Sequence, residues 1–154
     1  MQELKFEWRK GIQYQDRLCQ FLNEIDEIMI PALSERVCIS DYAGKLASLA
    51  ENLFMVQNGR DIASCSVYCN SKIAFISSIA VKKEFSNHGM GTALMNEVKQ
   101  FTRENQCERI QLEVYEQNSI ALDFYKKNGF VIIVEKSNLK RMEYLFSTKE
   151  NNGN

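Results

Sequence analysis

Val81-Lys82-Lys83-Glu84-Phe85-Ser86-Asn87-His88-Gly89-Met90-Gly91-Thr92 is the stretch that decides how this chain folds. Before it, Ile73–Val81 is an apolar, β-favouring run, the pattern of a strand. After it, Leu94, Val98 and Phe101 recur at helical spacing and predict a helix from about Gly91 to Arg103. A strand feeding a Gly-x-Gly turn that opens a helix is an anion site. The glycines let backbone come close to a ligand, and unpaired N–H groups point outward at the positive helix end. Lys82, Lys83 and His88 stand alongside, so a phosphate is the expected ligand; the alternative is an ordinary tight connection. A P-loop would place Lys-Ser or Lys-Thr after the second glycine, where this chain has Thr92-Ala93. A dinucleotide fingerprint would need a third glycine, but Leu94 stands there, although Glu113 mimics that fold's ribose-binding acid.

Outward from the loop, the pattern is that of a mixed chain. Leu4–Trp8 alternates apolar and polar and reads as a strand. Leu18, Phe21, Leu22, Ile25, Ile28 and Met29 describe an amphipathic helix, with Pro31 placed to stop it. Ser40 and Asp41 offer a cap for a second helix with Tyr42, Leu46, Leu49 and Ala50 on its inner stripe. Leu53–Gln57, Asp61–Cys69 and Ile73–Val81 form an antiparallel meander, turned by Asn58-Gly59 and by Asn70-Ser71-Lys72. Arg109–Tyr115 is a further strand and Ser119–Lys127 a short helix ended by Asn128-Gly129. Phe130–Val134 and Met142–Phe146 complete the sheet. One domain is expected over 1–148, followed by a frayed polar tail over 149–154.

The 154 residues carry 19 Lys and Arg against 20 Asp and Glu, a net charge of −1 that argues against a nucleic-acid partner. No run approaches the roughly 18 apolar residues of a membrane helix, and Met1-Gln2-Glu3-Leu4-Lys5 lacks the start of a secretory signal. A cytoplasmic chain with no membrane partner is expected. One histidine and five cysteines, with no C-x-x-C pair, predict neither a disulfide framework nor a metal site. Cys19, Cys38, Cys65, Cys69 and Cys107 read as small buried hydrophobes. A Ser-His-Asp site would have to use His88, and no G-x-S-x-G elbow holds its serine. The chemistry left to this chain uses backbone dipoles, carboxylates and phenols.

Two segments, Ile79–Met95 and Asn118-Ser119-Ile120-Ala121-Leu122-Asp123-Phe124-Tyr125-Lys126-Lys127-Asn128-Gly129-Phe130, resemble the two signatures of the GCN5-related N-acetyltransferases. The order of elements over Leu4–Phe146 is similar too. The resemblance implies an α+β fold of three αβα layers, with a mixed, mostly antiparallel sheet of six to seven strands and about four helices. It implies acetyl-CoA as co-substrate, no metal, and an amine acceptor as the other partner, with a homodimer left open. Ser86 stands where the family usually carries Arg or Gln, and Lys83 where proline is common. Weaker coenzyme binding is therefore expected, offset in part by the hydroxyls of Ser86 and Thr92 and the charge of Lys82 or Lys83.

By the same resemblance, the sheet opens between the strands ending at Val81 and Tyr115. Ile79, Ala80 and Val81 would receive the pantetheine arm, and one of their amides the oxyanion. Ser86, Asn87, His88, Gly89, Met90, Gly91, Thr92, Asn118 and Lys127 complete the coenzyme-binding set. Tyr125 matches the tyrosine that protonates the leaving thiolate; the alternative is a packed helix residue. Asn118 would also cap its helix. Glu113 is the first choice for the base, against a solvated carboxylate on a sheet face, with Glu116, Asp61 and Tyr68 behind it. Three functions follow: acetylation of a small amine, an amino sugar among them; acetylation of protein N-termini or lysines; or coenzyme binding without catalysis. The two N-terminal helices and the loop Pro31–Ile39 would set the acceptor. Glu24, Asp26, Glu27 and Glu35 either attract a cationic amine or form a solvated face.

Overall fold

The computed structural model describes residues 3–86 and 88–147. Seven strands, β1 (Leu4–Arg9), β2 (Glu51–Gln57), β3 (Arg60–Tyr68), β4 (Ile73–Val81), β5 (Arg109–Tyr115), β6 (Val131–Lys136) and β7 (Leu139–Leu145), form one sheet in the order β1-β2-β3-β4-β5-β7-β6. Only β4 and β5 pair parallel; every other neighbouring pair is antiparallel. Four helices, α1 (Gln15–Ile25), α2 (Ile39–Leu49), α3 (Met90–Glu104) and α4 (Ser119–Lys127), cover it. The expected α+β architecture is the one observed. The β2–β3 turn is the expected Asn58-Gly59, both at positive φ (53° and 75°), which suits the twist of a two-residue hairpin.

Alternation along β2 explains the three layers. Leu53 and Met55 point to one face, where they join Leu94, Met95 and Val98 of α3 and Tyr125 of α4; Phe54 and Val56 point to the other, against α1 and α2. Two cores therefore lie on opposite sides of one sheet. Buried Asn52 ties α2 to the sheet: its amide donates to the carbonyls of Arg9, Leu46 and Ala50 at 3.2, 3.0 and 3.1 Å, and its oxygen accepts from the Ser66 hydroxyl at 2.6 Å.

Several expectations are corrected. Helix α1 ends at Ile25 and passes into a single tight turn, so Ile28 and Met29 lie outside it. Helix α2 begins at Ile39, which makes Cys38 its N-cap and puts Ser40 and Asp41 in its first turn. Leu49 is 54% exposed, because Ile39, Ala43, Leu46 and Ala47 define the inner stripe instead. A hairpin through Ser137 and Asn138 joins a longer β6 to an earlier β7. Cys65 and Cys107 are buried, Cys19 and Cys69 half-buried and Cys38 exposed, all free thiols, so burial fails as an account of Cys38. Among the described residues no cluster of His, Cys, Asp and Glu forms a metal site, and no helix is long and apolar enough to cross a membrane. The tail 149–154 lies outside the described residues.

Candidate active site

Strands β4 and β5 pair through three residues each, Ile73 with Arg109, Ala74 with Ile110 and Phe75 with Gln111. Beyond that point they part. Strand β4 stays with β3 as far as Val81 opposite Ala63, while β5 stays with β7 as far as Tyr115 opposite Leu139. The cause is visible in the register: Ile76 lies opposite Val67 and Ser78 opposite Ser66, so Ser77 is an extra residue in β4. Such a bulge bends its strand and increases local twist, here where pairing with β5 stops. The Tyr42 hydroxyl from α2 sits on this bulge, 3.1 Å from the Ser77 carbonyl and 2.5 Å from the Ser77 hydroxyl.

The parting holds a cavity of about 470 Å³. Its walls are Ile76–Val81 of β4, Leu112–Tyr115 of β5, the first turns of α3 and α4, and the connection between α1 and α2. The β4 edge that faces it presents backbone donors and acceptors with no strand beside them. Ile79, Ala80 and Val81 are among the residues that line it.

At the mouth stands the glycine turn. Gly89 adopts φ 77° and ψ 4°, a left-handed conformation that glycine takes without strain, and it caps α3 with no side chain. The first helical bond runs from the Ala93 N–H to the Gly89 carbonyl at 3.0 Å. The amides of Met90, Gly91 and Thr92 precede it and have no acceptor within the helix. Gly91 serves a different purpose: a Cβ there would stand 2.9 Å from Cε1 of Phe124, so its lack of side chain sets how closely α3 approaches α4.

The loop's side chains are disposed less as expected. Ser86 lines the cavity, but its hydroxyl donates to the Lys83 carbonyl at 2.7 Å and is spent on closing its own turn. Lys82 is 12% exposed and paired with Glu24 at 2.6 Å, with its Nζ over the Phe21 ring, so its charge goes to α1 and not to the loop. Thr92 is exposed and lines the cavity. His88 and Lys127 are exposed and Met90 is half-buried against the α3 core; none of the three is part of the lining. Asn87 lies outside the described residues.

Tyr125, Asn118 and Phe124 line the cavity as well. The Tyr125 ring is fixed by Phe124 and Phe130, at centroid distances of 5.5 and 5.9 Å. Its hydroxyl makes no hydrogen bond among the described residues. Burial pushes the phenol well above its ordinary pKa, with a smaller contribution from the Cys65 thiol, so it stays protonated through the neutral range. Asn118 caps α4 as expected, its side-chain oxygen accepting from the Ala121 N–H at 3.2 Å. Glu113 also lines the cavity, on the β5 face opposite buried Leu112 and Val114, and accepts from Arg141 at 2.9 Å.

The weaker base candidates lie elsewhere. Asp61 is held by the Arg17 guanidinium at 2.7 and 2.8 Å, Glu116 pairs with Lys140 at 3.2 Å, and Tyr68 is outside the lining. Glu24, Asp26, Glu27 and Glu35 are absent from the lining too; Asp26 accepts from the Ser34 N–H at 2.7 Å and serves the chain's own loop. Sequence reasoning missed Arg36, Ser77 and Tyr115 as site residues and took Tyr42 for a core residue; all four line the cavity. The only available signal was Tyr42, a phenol on an otherwise apolar stripe.

A parting of two parallel neighbours, with free helix-start amides and a buried phenol beside it, defines the class: an α+β protein with a cavity where its sheet opens. The family model described as Acetyltransferase (GNAT) family matches residues 16–130, and the chain belongs to that family. Among curated relatives, it is 34% identical over 73 residues to N-alpha-acetyltransferase 60 of Danio rerio, covering 46% of this chain and 30% of that protein. It is 37% identical over 59 residues to streptothricin acetyltransferase A of Bacillus subtilis (strain 168), covering 38% of this chain and 34% of that protein. The chain thus matches about a third of the length of these relatives. The PaiA N-acetyltransferase of Thermoplasma acidophilum, solved in complex with coenzyme A, shares the fold with a TM-score of 0.74 at 17% identity, covering 92% of this chain and 99% of that one.

Proposed function

We propose that this protein is an acetyl-CoA-dependent N-acetyltransferase, one domain over 1–148 acting in the cytoplasm, that acetylates a primary amine of a small molecule. The observation that carries this reading is the parting of β4 from β5 beyond Phe75 and Gln111, because a strand edge left open beside a cavity can pair with an extended amide-bearing arm. The free amides after Gly89 suit a diphosphate at one end of that arm. Acetyl-CoA supplies an activated thioester; the rest falls to the protein's own groups.

A backbone N–H of Ile79, Ala80 or Val81 donates to the thioester oxygen as negative charge develops there. The amine nitrogen forms the new C–N bond, the C–S bond breaks, and Tyr125 gives its proton to the departing sulfur. Glu113 receives the proton that the amine loses, directly or through water. Arg141 holds the Glu113 carboxylate in place. The stretch shared with N-alpha-acetyltransferase 60 supports a second reading, in which the amine is a protein N-terminus.

Acetyl-CoA at a hundredfold excess over its Kd should raise the melting temperature by about 5–10 °C. Release of free thiol should follow when an accepted amine is added. An unchanged melting temperature at millimolar acetyl-CoA would remove the coenzyme from the proposal. Turnover with N-terminal peptides alone would select the second reading.

A further inference from the structure

Among the described residues, the lining contains one cation, Arg36, and one carboxylate, Glu113. Glu113 already has a partner in Arg141. The Arg36 side chain makes no hydrogen bond and no short ion pair among the described residues: its guanidinium lies over the Tyr115 ring, 5.3 Å from the centroid, with the Asp26 carboxylate near enough to feel its charge. Asp26, in the same segment, is occupied by the Ser34 N–H. An exposed arginine beside an aromatic ring, lining a cavity with its donors unused, is suited to a planar or tetrahedral oxyanion.

The side of the sheet decides whose oxyanion it is. Ile110, Leu112 and Val114 are buried in the core shared with α3, so Glu113 and Tyr115 face the α1–α2 side. The glycine turn opens α3 on the other side, so the coenzyme phosphates expected there are not what Arg36 meets. Glu113 and Tyr115 are two residues apart on one strand face, about 7 Å.

Building on the proposed acetyl transfer, we infer that the acceptor is a small amine that also bears a carboxylate or a phosphate, and that Arg36 binds that group. The amine end lies toward Glu113 and the thioester, the acid end over Tyr115. Amine and acid are therefore separated by a few bonds in the same compact molecule.

The test uses matched pairs of amines that differ only in the acid: 2-aminoethyl phosphate with ethanolamine, glucosamine 6-phosphate with glucosamine, and an amino acid with its amide. Each is titrated into the protein with coenzyme A bound, and each is assayed for acetylation. The acidic member of at least one pair should bind about 10- to 100-fold more tightly. The pair that discriminates tells phosphate from carboxylate. Arg36→Ala should bring that ratio to near one. Arg36→Lys should restore only part of it, since an ammonium lacks the guanidinium's forked geometry. Equal binding within every pair, or a ratio that survives Arg36→Ala, overturns the inference. Neutral N-terminal peptides binding as well as the best acidic amine would overturn it too. Binding and chemistry are read separately: an Arg36-dependent ratio without acetylation sustains the acid-binding role and defeats the transferase reading, whereas efficient transfer with no acid preference does the reverse.

Discussion

Helices α3 and α4 open on the same cavity and treat their first N–H groups in opposite ways. In α4, the Asn118 side chain accepts from the Ala121 N–H; in α3, Gly89 offers no side chain and leaves the Met90, Gly91 and Thr92 amides to whatever enters the cleft. Glycine gives up only a few tenths of a kcal/mol against a side-chain cap, so access is gained at little loss of stability. The same division runs through the other polar groups here. The Ser86 hydroxyl is committed to Lys83 and Lys82 to Glu24, while the Tyr125 hydroxyl and the Arg36 guanidinium belong to lining residues and make no hydrogen bond among the described residues. Ser86 and Lys82 hold the frame, and the uncommitted groups are open to a ligand; Glu113 stands between the two, paired with Arg141 and still lining the cavity.

The sharpest way to break this division is at Tyr125. Tyr125→Phe removes an uncommitted hydroxyl and keeps the ring contacts, so kcat should fall about 100-fold while the acetyl-CoA-induced melting shift stays within a degree or two of the parent's. An unaltered kcat would return Tyr125 to the core. Because burial raises the phenol's pKa, its acid form persists above the ordinary value near 10. Activity should therefore show no loss from Tyr125 ionisation between pH 7 and pH 10, which a kcat profile with a non-titrating acceptor checks.

Gly91 and Gly89 separate packing from ligand access. Gly91→Leu drives a side chain into Phe124, should cost about 1–3 kcal/mol in urea unfolding, and should abolish the acetyl-CoA shift by reshaping the cavity wall. Gly89→Ala meets no atom within 4 Å, so only the left-handed conformation opposes it, by about 1–2 kcal/mol. Retention of the full shift in Gly91→Leu would show that α3 need not approach α4 for the coenzyme to bind. Asn118→Ala comes next, at about 1 kcal/mol of stability, with Asn118→Gly costing a few tenths. Greater loss of acetyl-CoA affinity than of stability in Asn118→Ala would mean the cap also serves the ligand.

Much of this was legible in the sequence because it is local. Period-two runs, the Asn58-Gly59 turn, the helix-opening glycines and the Asn118 cap are each written within a few neighbouring residues, and the structure carries all of them. What could not be read depends on which distant element arrives. Lys82 follows a strand and precedes a glycine turn, yet its charge goes to Glu24, because α1 packs across the end of β4. The bulge at Ser77 is a mismatch between two strands, and neither strand's pattern announces it. Tyr42 reads as a core residue and reaches that bulge; Arg36 sits in a loop with no motif and lands on Tyr115. Cys38 and Leu49 were misplaced because α2 is rotated slightly from the assumed stripe, with its cap two residues earlier than Ser40.

The smallest expected effect tests the committed side of the comparison. The Lys82 ammonium, chiefly through its hydrogen bond, holds the Glu24 carboxyl below its ordinary pKa. A depressed folded-state pKa means that the pair contributes stability above the unfolded carboxyl's value, about 4.3, and loses it as pH falls through the folded value. The Glu24 side chain is 43% exposed, so solvent screening keeps that contribution under about 1 kcal/mol. Lys82→Met should therefore be slightly less stable than the parent at pH 7, with the gap closing below pH 4. Lys82 is not among the lining residues, so acetyl-CoA should bind the variant as it binds the parent, measured by calorimetry. A tenfold loss of affinity would mean that Lys82 can leave Glu24 for the coenzyme. Whether a group is committed would then have to be judged by how readily it exchanges partners, and the contrast between α3 and α4 would hold for backbone amides alone.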